Sequence, residues 1–428
     1  MDKVLVLGAI EPFCDLIKEI RQKGFEPVVC DYYENAPAKR MVEYAYDVST
    51  MDIPVLRRIA KQHEVCGVIS AFSDRNLQPG YEIARGLELP TFYTPEIIKK
   101  LTDKVQMKEH FQAHNFPIIP YAVLEAGFDD KELERFDFPV IMKPIDAYGS
   151  KGIFVCKSVE EVRDNYEKTI RESLNYDGKV LIEEFYPVDE ISITAWVKAG
   201  KAYVTCIYDV NRNFGEEIVL SSVRFPSKYT KKHFQKLQEL TQELTDSFGI
   251  QEGPVTVQCY IGEKGLKIGE YLYRLAGGSP YLYPILMGGP NIANMLIDYQ
   301  TGNSVDYENL QEFEPIGKGF FYDIKVYVKE AGKIYYNVTA SELLDKMENA
   351  VKVIFYHENG SELSHVSKAG KEVIRIFYYQ KENDKKSYKE VLDEIARSIQ
   401  VTNVRGENIT ELRYPQRPES LERQYDVF

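Results

Sequence analysis

The sequence predicts a chain of mixed α/β and α+β class in three successive modules, and three observations carry that expectation. Strand and helix signals alternate in the N-terminal part, a strand, loop, strand and helix give way to long strands in the middle, and strands mixed with a helix close the chain. At 428 residues the chain exceeds what one compact core usually holds, so a functional site is expected between modules.

In the first module, residues 4–7 are an apolar strand, Pro12 opens a helix that Gly24 stops, residues 28–31 and 65–69 are further strands, and residues 77–85 are helical. This spacing indicates a parallel α/β domain over residues 1–100. Gly8 ends the first strand but is followed by Ala-Ile-Glu-Pro, not G-x-G-x-x-G, so a dinucleotide site would lack its phosphate loop. Thr94 then caps a helix with Pro95 at its first position, and helical signals run through Lys104 to residue 113.

The central module is expected over residues 101–310, with a small lid at about 115–186 and a larger part at 187–310. Residues 138–143 read as a buried strand, 145–152 as a loop and 153–156 as a strand. Ser158 and Glu161 form a capping box before a helix with Val159, Val162, Tyr166 and Ile170 on one face. Residues 180–186 and 190–207 are strand-like, 209–229 is a polar segment, and Thr230 caps a helix whose stripe of Phe234, Leu237, Leu240, Leu244 and Phe248 stops at Gly249. Residues 290–299 form another helix. The C-terminal α+β module, 311–428, carries strands at 322–328, 351–356 and 373–379 and a helix capped by Ser387 and Glu390.

Composition narrows the function class. A formal charge of -13 disfavours binding to phosphate backbones or anionic lipid. The start of the chain shows no secretory signal and no apolar run reaches membrane-spanning length, so a cytoplasmic protein is expected. The six cysteines are widely spaced without C-x-x-C and read as reduced core residues. His110 and His114 share a helix face but lack a third ligand, so they are read as surface residues.

Two constellations carry chemistry. The loop Asp146-Ala-Tyr-Gly-Ser-Lys-Gly152 joins two strands, which excludes a Walker loop, yet Gly149 and Gly152 permit amides to face phosphate oxygens and Ser150 and Lys151 add donors. Just before it, Lys143 ends an apolar strand, where an ammonium needs an anion. The second constellation is a hairpin over residues 255–275. A three-residue loop of Glu263, Lys264 and a left-handed Gly265 would pair Gly262 with Leu266 and set Gln258 opposite Glu270. Leu272 and Arg274 then share the face of Glu270. Magnesium takes hard oxygen ligands, so Gln258 and Glu270 suffice for one ion, and Arg274 can meet a transferring phosphate.

Taken in order, these segments resemble the ATP-grasp superfamily, which includes biotin carboxylase, carbamoyl phosphate synthetase and D-alanine-D-alanine ligase. The resemblance rests on Thr102-Asp-Lys104 with Met107-Lys108, Phe138-Pro-Val-Ile-Met-Lys143-Pro, Tyr148-Gly-Ser-Lys-Gly152, Val180-Leu-Ile-Glu-Glu-Phe-Tyr186 with Glu190, and Gly269-Glu-Tyr-Leu-Tyr-Arg274. It implies a pre-ATP-grasp domain, a two-subdomain ATP-grasp fold and a small mixed C-terminal domain. It also implies that ATP is held by Lys104 and Lys143 on its phosphates, with Tyr148, Gly149, Ser150 and Gly152 as the cover. Glu183, Glu184, Phe185 and Tyr186 would meet the adenine and Glu190 the ribose. Mg2+, or Mn2+ in its place, would sit on Gln258 and Glu270.

The resemblance further implies a ligase that activates a carboxylate as an acyl phosphate for capture by an amine, with Lys143, Glu270 and Arg274 as its catalytic set. Small-molecule substrates are expected, with no nucleic-acid or membrane partner, and homodimers are common in the superfamily. Arg212, Arg224 and the loop Gly277, Gly278 and Ser279 are candidate substrate contacts, with Tyr281 and Tyr283 shaping the pocket. One departure is Leu272, where the family pattern Glu-x-Asn-x-Arg places a metal-binding asparagine; Arg274-Leu-Ala-Gly-Gly278 resembles a bacterial carboxylate-amine ligase branch. The alternatives are a nucleotide-binding protein with a weakened metal site, acting through partners, and a bicarbonate-dependent carboxylase-like enzyme.

Overall fold

The computed structural model describes residues 1–145, 152–173, 178–186, 189–214, 218–364, 366, 370–414 and 427. Its N-terminal sheet is parallel, ordered Tyr44–Asp47, Glu26–Asp31, Lys3–Leu7, Gly67–Ser70. Val4, Leu5, Val6 and Leu7 are all fully buried, because helices cover both faces of the sheet and leave no face to water. The edge strand Tyr44–Asp47 was not expected; it is short, and its burial alternates, so its sequence lacks an apolar run. Asp103 separates the helices Pro95–Thr102 and Lys104–Ala113, and its carboxylate caps the second by accepting from Val105 N at 2.9 Å and Gln106 N at 3.1 Å.

A small antiparallel sheet forms the lid, ordered Tyr121–Leu124, Val180–Glu184, Val140–Pro144, Phe154–Cys156. The helix Val159–Arg171 packs Val162 and Tyr166 into the lid core. Ser158 caps this helix as expected, but Glu161 reaches the Lys157 N–H at 2.7 Å rather than closing the box on Ser158.

The larger part is built on a long antiparallel sheet. Its order is Gly265–Leu272, Glu252–Gly262, Asp189–Lys198, Lys201–Phe214, Ile218–Phe225, Gly319–Val328, Lys371–Lys381, Ala350–Phe355, so strands of the C-terminal segment continue the central sheet. The segment 209–229, expected to be a polar connection, is mostly two strands of this sheet. Val210, Arg212, Leu220 and Val223 of this segment face the cleft, while its polar residues pair across the two strands, Asn211 Nδ2 with Ser222 Oγ at 3.0 Å and Arg224 with Asp209 at 3.7 Å. The helix Thr230–Phe248 buries Leu237, Leu240, Leu244 and Phe248 and ends at a left-handed Gly249, but its N-cap is Tyr229; the Thr230 hydroxyl is buried without a partner among the described residues.

At the hairpin tip, Gly262 pairs with Gly265 rather than with Leu266, so the turn is Glu263-Lys264 and is one residue tighter than expected. A bulge at Gly269 restores the register, and Gln258 still lies opposite Glu270. Only glycine fits there, since a Cβ would come within 2.6 Å of the Tyr260 ring.

All six cysteines are free, with Cys30, Cys156, Cys206 and Cys259 buried. Among the described residues no helix is long and apolar enough to cross a membrane.

Candidate active site between the lid and the large sheet

A cleft of about 490 Å3 opens between the lid sheet and the large sheet, within the size range of small-molecule sites. Lys104 enters it from the first turn of its helix, Lys143 and Glu183 from adjacent lid strands, and Glu190, Arg212, Gln258 and Glu270 from the large sheet. Lys143 and Glu270 thus share one space. Glu184, Phe185 and Tyr186 line it on leaving the lid, as do Gly277, Gly278 and Tyr283, whereas Ser279 and Tyr281 do not line it.

Charge in the cleft centres on Glu183. Its side chain is 5% exposed; one oxygen meets Lys143 Nζ at 2.5 Å and the other meets the Lys108 ammonium. Burial alone would raise this carboxyl, but the charges of Lys108 and Lys143 hold it down at about 2. Desolvation lowers Lys108 in spite of Glu183, with the like charge of Lys143 adding to it. Lys143 is equally desolvated, yet Glu183 and then Glu270 carry it above the ordinary lysine value. Lys108 was read only as part of a motif; its i, i+4 spacing from Lys104 was the signal that both face the lid.

The candidate clamps are occupied from within. Arg212 makes a fork to Glu190, at 2.6 Å through Nε and 2.9 Å through Nη2, so these two form one partly buried pair. Arg224 lies 3.7 Å from Asp209 and over the Phe320 ring at 4.1 Å, and it does not line the cleft. Arg274 does line it, held by a fork from Nε at 2.7 Å and Nη2 at 2.6 Å to Asp74 of the N-terminal module. Sequence reasoning missed Asp74, which sits in a short turn after the parallel strand Gly67–Ser70 and shows its partner only in three dimensions.

Gln258 and Glu270 lie on paired positions, and neither side chain has a hydrogen-bond or ion-pair partner among the described residues. Two oxygen-bearing side chains left unpaired in a cleft fit one hard cation that keeps water and phosphate oxygens as its other ligands. Leu272 lines the same cleft, is 6% exposed and offers no oxygen. Among the described residues no cluster of three His, Cys, Asp or Glu side chains could hold a metal. His110 packs on the Phe248 ring at 3.9 Å and meets Ser247 Oγ at 3.1 Å; burial pushes it down to about 4. Tyr148, Gly149, Ser150 and Lys151 lie outside the described residues. Gly152 is described and is left-handed, at φ 67°.

Residues 136–277 match a family model described as the ATP-grasp domain. Formate-dependent phosphoribosylglycinamide formyltransferase of Prochlorococcus marinus is 25% identical over 214 residues, 48% of this chain and 53% of that protein. The biotin carboxylase domain of Hydrogenobacter thermophilus 2-oxoglutarate carboxylase, solved with MgADP, ADP and bicarbonate, superposes with a TM-score of 0.76 at 16% identity, covering 100% of this chain and 96% of that one. L-amino acid ligase of Bacillus licheniformis gives a TM-score of 0.73 at 14% identity, covering 94% and 99%. The chain spans 53% and 64% of the length of the first two curated relatives it matches.

Proposed function

We propose, from the match of residues 136–277 to the ATP-grasp domain, that this chain is an ATP-dependent ligase of the ATP-grasp superfamily, joining a small carboxylic acid to an amine or similar nucleophile through an acyl phosphate. The observation that carries this reading is the single cleft holding Lys143 on the lid side and Glu270 on the sheet side. ATP is the co-substrate that fits such a cleft. Apolar Ile141, Ile153 and Leu101 give a planar ring its walls, and Lys104 and Lys143 meet its phosphates.

In the proposed reaction the acid's carboxylate oxygen bonds to the γ-phosphorus and ADP leaves. The amine nitrogen then bonds to the acyl carbon, inorganic phosphate leaves and the amine sheds a proton. A magnesium ion on Gln258 and Glu270 would neutralise charge on the phosphate oxygens. Lys143 presents an ammonium that Glu183 and Glu270 keep charged, and Arg274, fixed by Asp74, presents a guanidinium beside the transferring group. The lid excludes water, so the acyl phosphate lasts long enough for the amine to attack. Catalysis is then mostly positioning, which needs no nucleophilic side chain of the protein. The reading includes a cytoplasmic protein with small-molecule substrates, a homodimer, and Mn2+ able to replace Mg2+.

The test is ADP release from MgATP across a panel of carboxylates with amines, with hydroxylamine added to trap the acyl phosphate. Acid-dependent ADP release that Glu270→Gln abolishes is the expected result. MgATP binding without ADP release on any acid would sink the ligase assignment. It would favour a nucleotide-binding protein acting through partners, a reading that Leu272 supports because the cleft offers the metal few oxygens.

A further inference from the structure

One wall of the cleft differs in character from the rest. The strands Lys201–Phe214 and Ile218–Phe225 bring Tyr208, Val210, Arg212, Leu220 and Val223 to it. Register holds these side chains together, with Val210 opposite Val223 and Arg212 opposite Leu220, and directly opposed residues share a face. Val210 and Leu220 pack against the core yet are only partly buried, so carbon surface stays open to the cleft.

The polar groups of this wall already have partners. The Arg212 guanidinium is forked onto Glu190, and the Tyr208 and Ser192 hydroxyls share a hydrogen bond. At the end of the wall Tyr283 meets Tyr208 edge-on, with ring centroids 5.1 Å apart, and lies flat on Phe225 at 4.0 Å. Its hydroxyl is donated to Asp323 Oδ2 at 2.7 Å, and Arg375 Nε holds the same carboxylate at 2.7 Å, so the phenol's polar end is tied inside the protein. An apolar group laid against such a wall gains by leaving water. A charged group would lose its hydration there and find nothing in return.

The wall stands beside the expected point of reaction. Gln258 is opposite Ser192 and Ser192 is opposite Tyr208, so the wall begins two strands from the metal-facing pair, about 10 Å away at ordinary strand spacing. The hinge residues lie toward the other edge of the sheet, where the Tyr186 hydroxyl accepts from Lys264 N at 3.1 Å at the hairpin tip.

We propose that this wall is the side-chain pocket for the acid, that the acid substrate carries an apolar, uncharged side chain, and that Leu220 sets the length accepted. The identity of the occupant rests on the ligase reading. The apolar character of the wall does not.

The experiment follows binding of acetate, butanoate, hexanoate and adipate to the full chain with MgADP by ligand-observed NMR, and acid-dependent ADP release with MgATP and hydroxylamine. Each pair of methylenes laid against the wall is expected to tighten binding about tenfold. Hexanoate should bind roughly tenfold or more tighter than adipate, which has as many carbons but brings a second carboxylate to a wall whose arginine is already paired. Leu220→Ala deepens the pocket and Leu220→Phe fills it. The ratio of hexanoate to butanoate affinity should rise about threefold or more in the first and fall as much in the second, opposite signs that a general loss of packing does not produce. MgADP affinity within about twofold of the wild type certifies that both variants fold.

Equal affinity for acetate and hexanoate, or adipate held as well as hexanoate, overturns the pocket. A ratio that moves the same way in both variants overturns the role of Leu220. Variants that change MgADP affinity and leave acid preference untouched would give the wall to the nucleotide's base and overturn the assignment. Chain-length-dependent binding with no ADP release on any acid would leave the pocket standing and strike the ligase reading, whereas ADP release blind to chain length would do the reverse.

Discussion

Replacing Glu183 with Gln removes the anion on which Lys108 and Lys143 converge. The carboxyl sits at about 2 against an ordinary 4.5, which is worth about 3 kcal/mol of stability near neutral pH. A depressed carboxyl contributes fully above its unfolded value and loses that contribution as pH falls toward the folded one, so about 1 kcal/mol of it should be gone by about pH 3.5. Lys108 can shed its proton once its partner is gone, because burial already lowers it, so the full figure is an upper bound. Trp196, the single tryptophan, is fully buried in the large sheet and reports unfolding. Urea titrations of wild type and Glu183→Gln followed by its fluorescence should differ by about 2–3 kcal/mol at about pH 7 and by clearly less at about pH 3.5. A gap under about 1 kcal/mol at neutral pH, or one that stays constant between the two, would refute the electrostatic account.

Three further outcomes are expected. Lys143→Met should weaken MgATP binding by about ten- to a hundredfold in calorimetry, since an unpaired phosphate in a dry cleft forfeits a charge-assisted contact. Asp74→Asn should leave MgATP affinity nearly unchanged and lower kcat by about tenfold, because Arg274 loses its fork and its orientation; a change confined to KM for ATP would count against that role. Leu272→Asn, which puts an oxygen beside Glu270, should add a second Mn2+ per chain in spin-resonance titrations with ADP, where the wild type binds one.

The sequence made the central hairpin legible through two features, the turn residues and the period-two alternation, and Gln258 opposite Glu270 followed from them. The route differed because a tighter turn and a bulge at Gly269 cancel in register, and bulges leave little trace beyond a glycine. Lys143 was legible because a charged residue ending an apolar strand needs a partner. The same rule applies to Asp323 between Tyr322 and Ile324, and to Arg375 between Ile374 and Ile376, which pair with each other in runs read only as strands. Arg212 was out of reach for another reason. Its partner Glu190 lies on the neighbouring strand, and without the register a substrate clamp and an internal ion pair look alike. The strand Tyr44–Asp47 was hidden by its shortness, and the 209–229 strands by polar residues whose partners lie across the strand pair.

One consequence of the shared sheet concerns how the protein can be cut. The strand Ile218–Phe225 pairs through Ser222, Val223, Arg224 and Phe225 with Gly319–Val328, well past residue 310 where the sequence places a module boundary. A fragment ending there would leave a bare row of amides and carbonyls along an apolar edge, the template on which chains stack into aggregates. The shortest piece worth expressing therefore keeps the Gly319–Val328 strand and the layer behind it, and a boundary drawn from sequence alone would divide a single fabric.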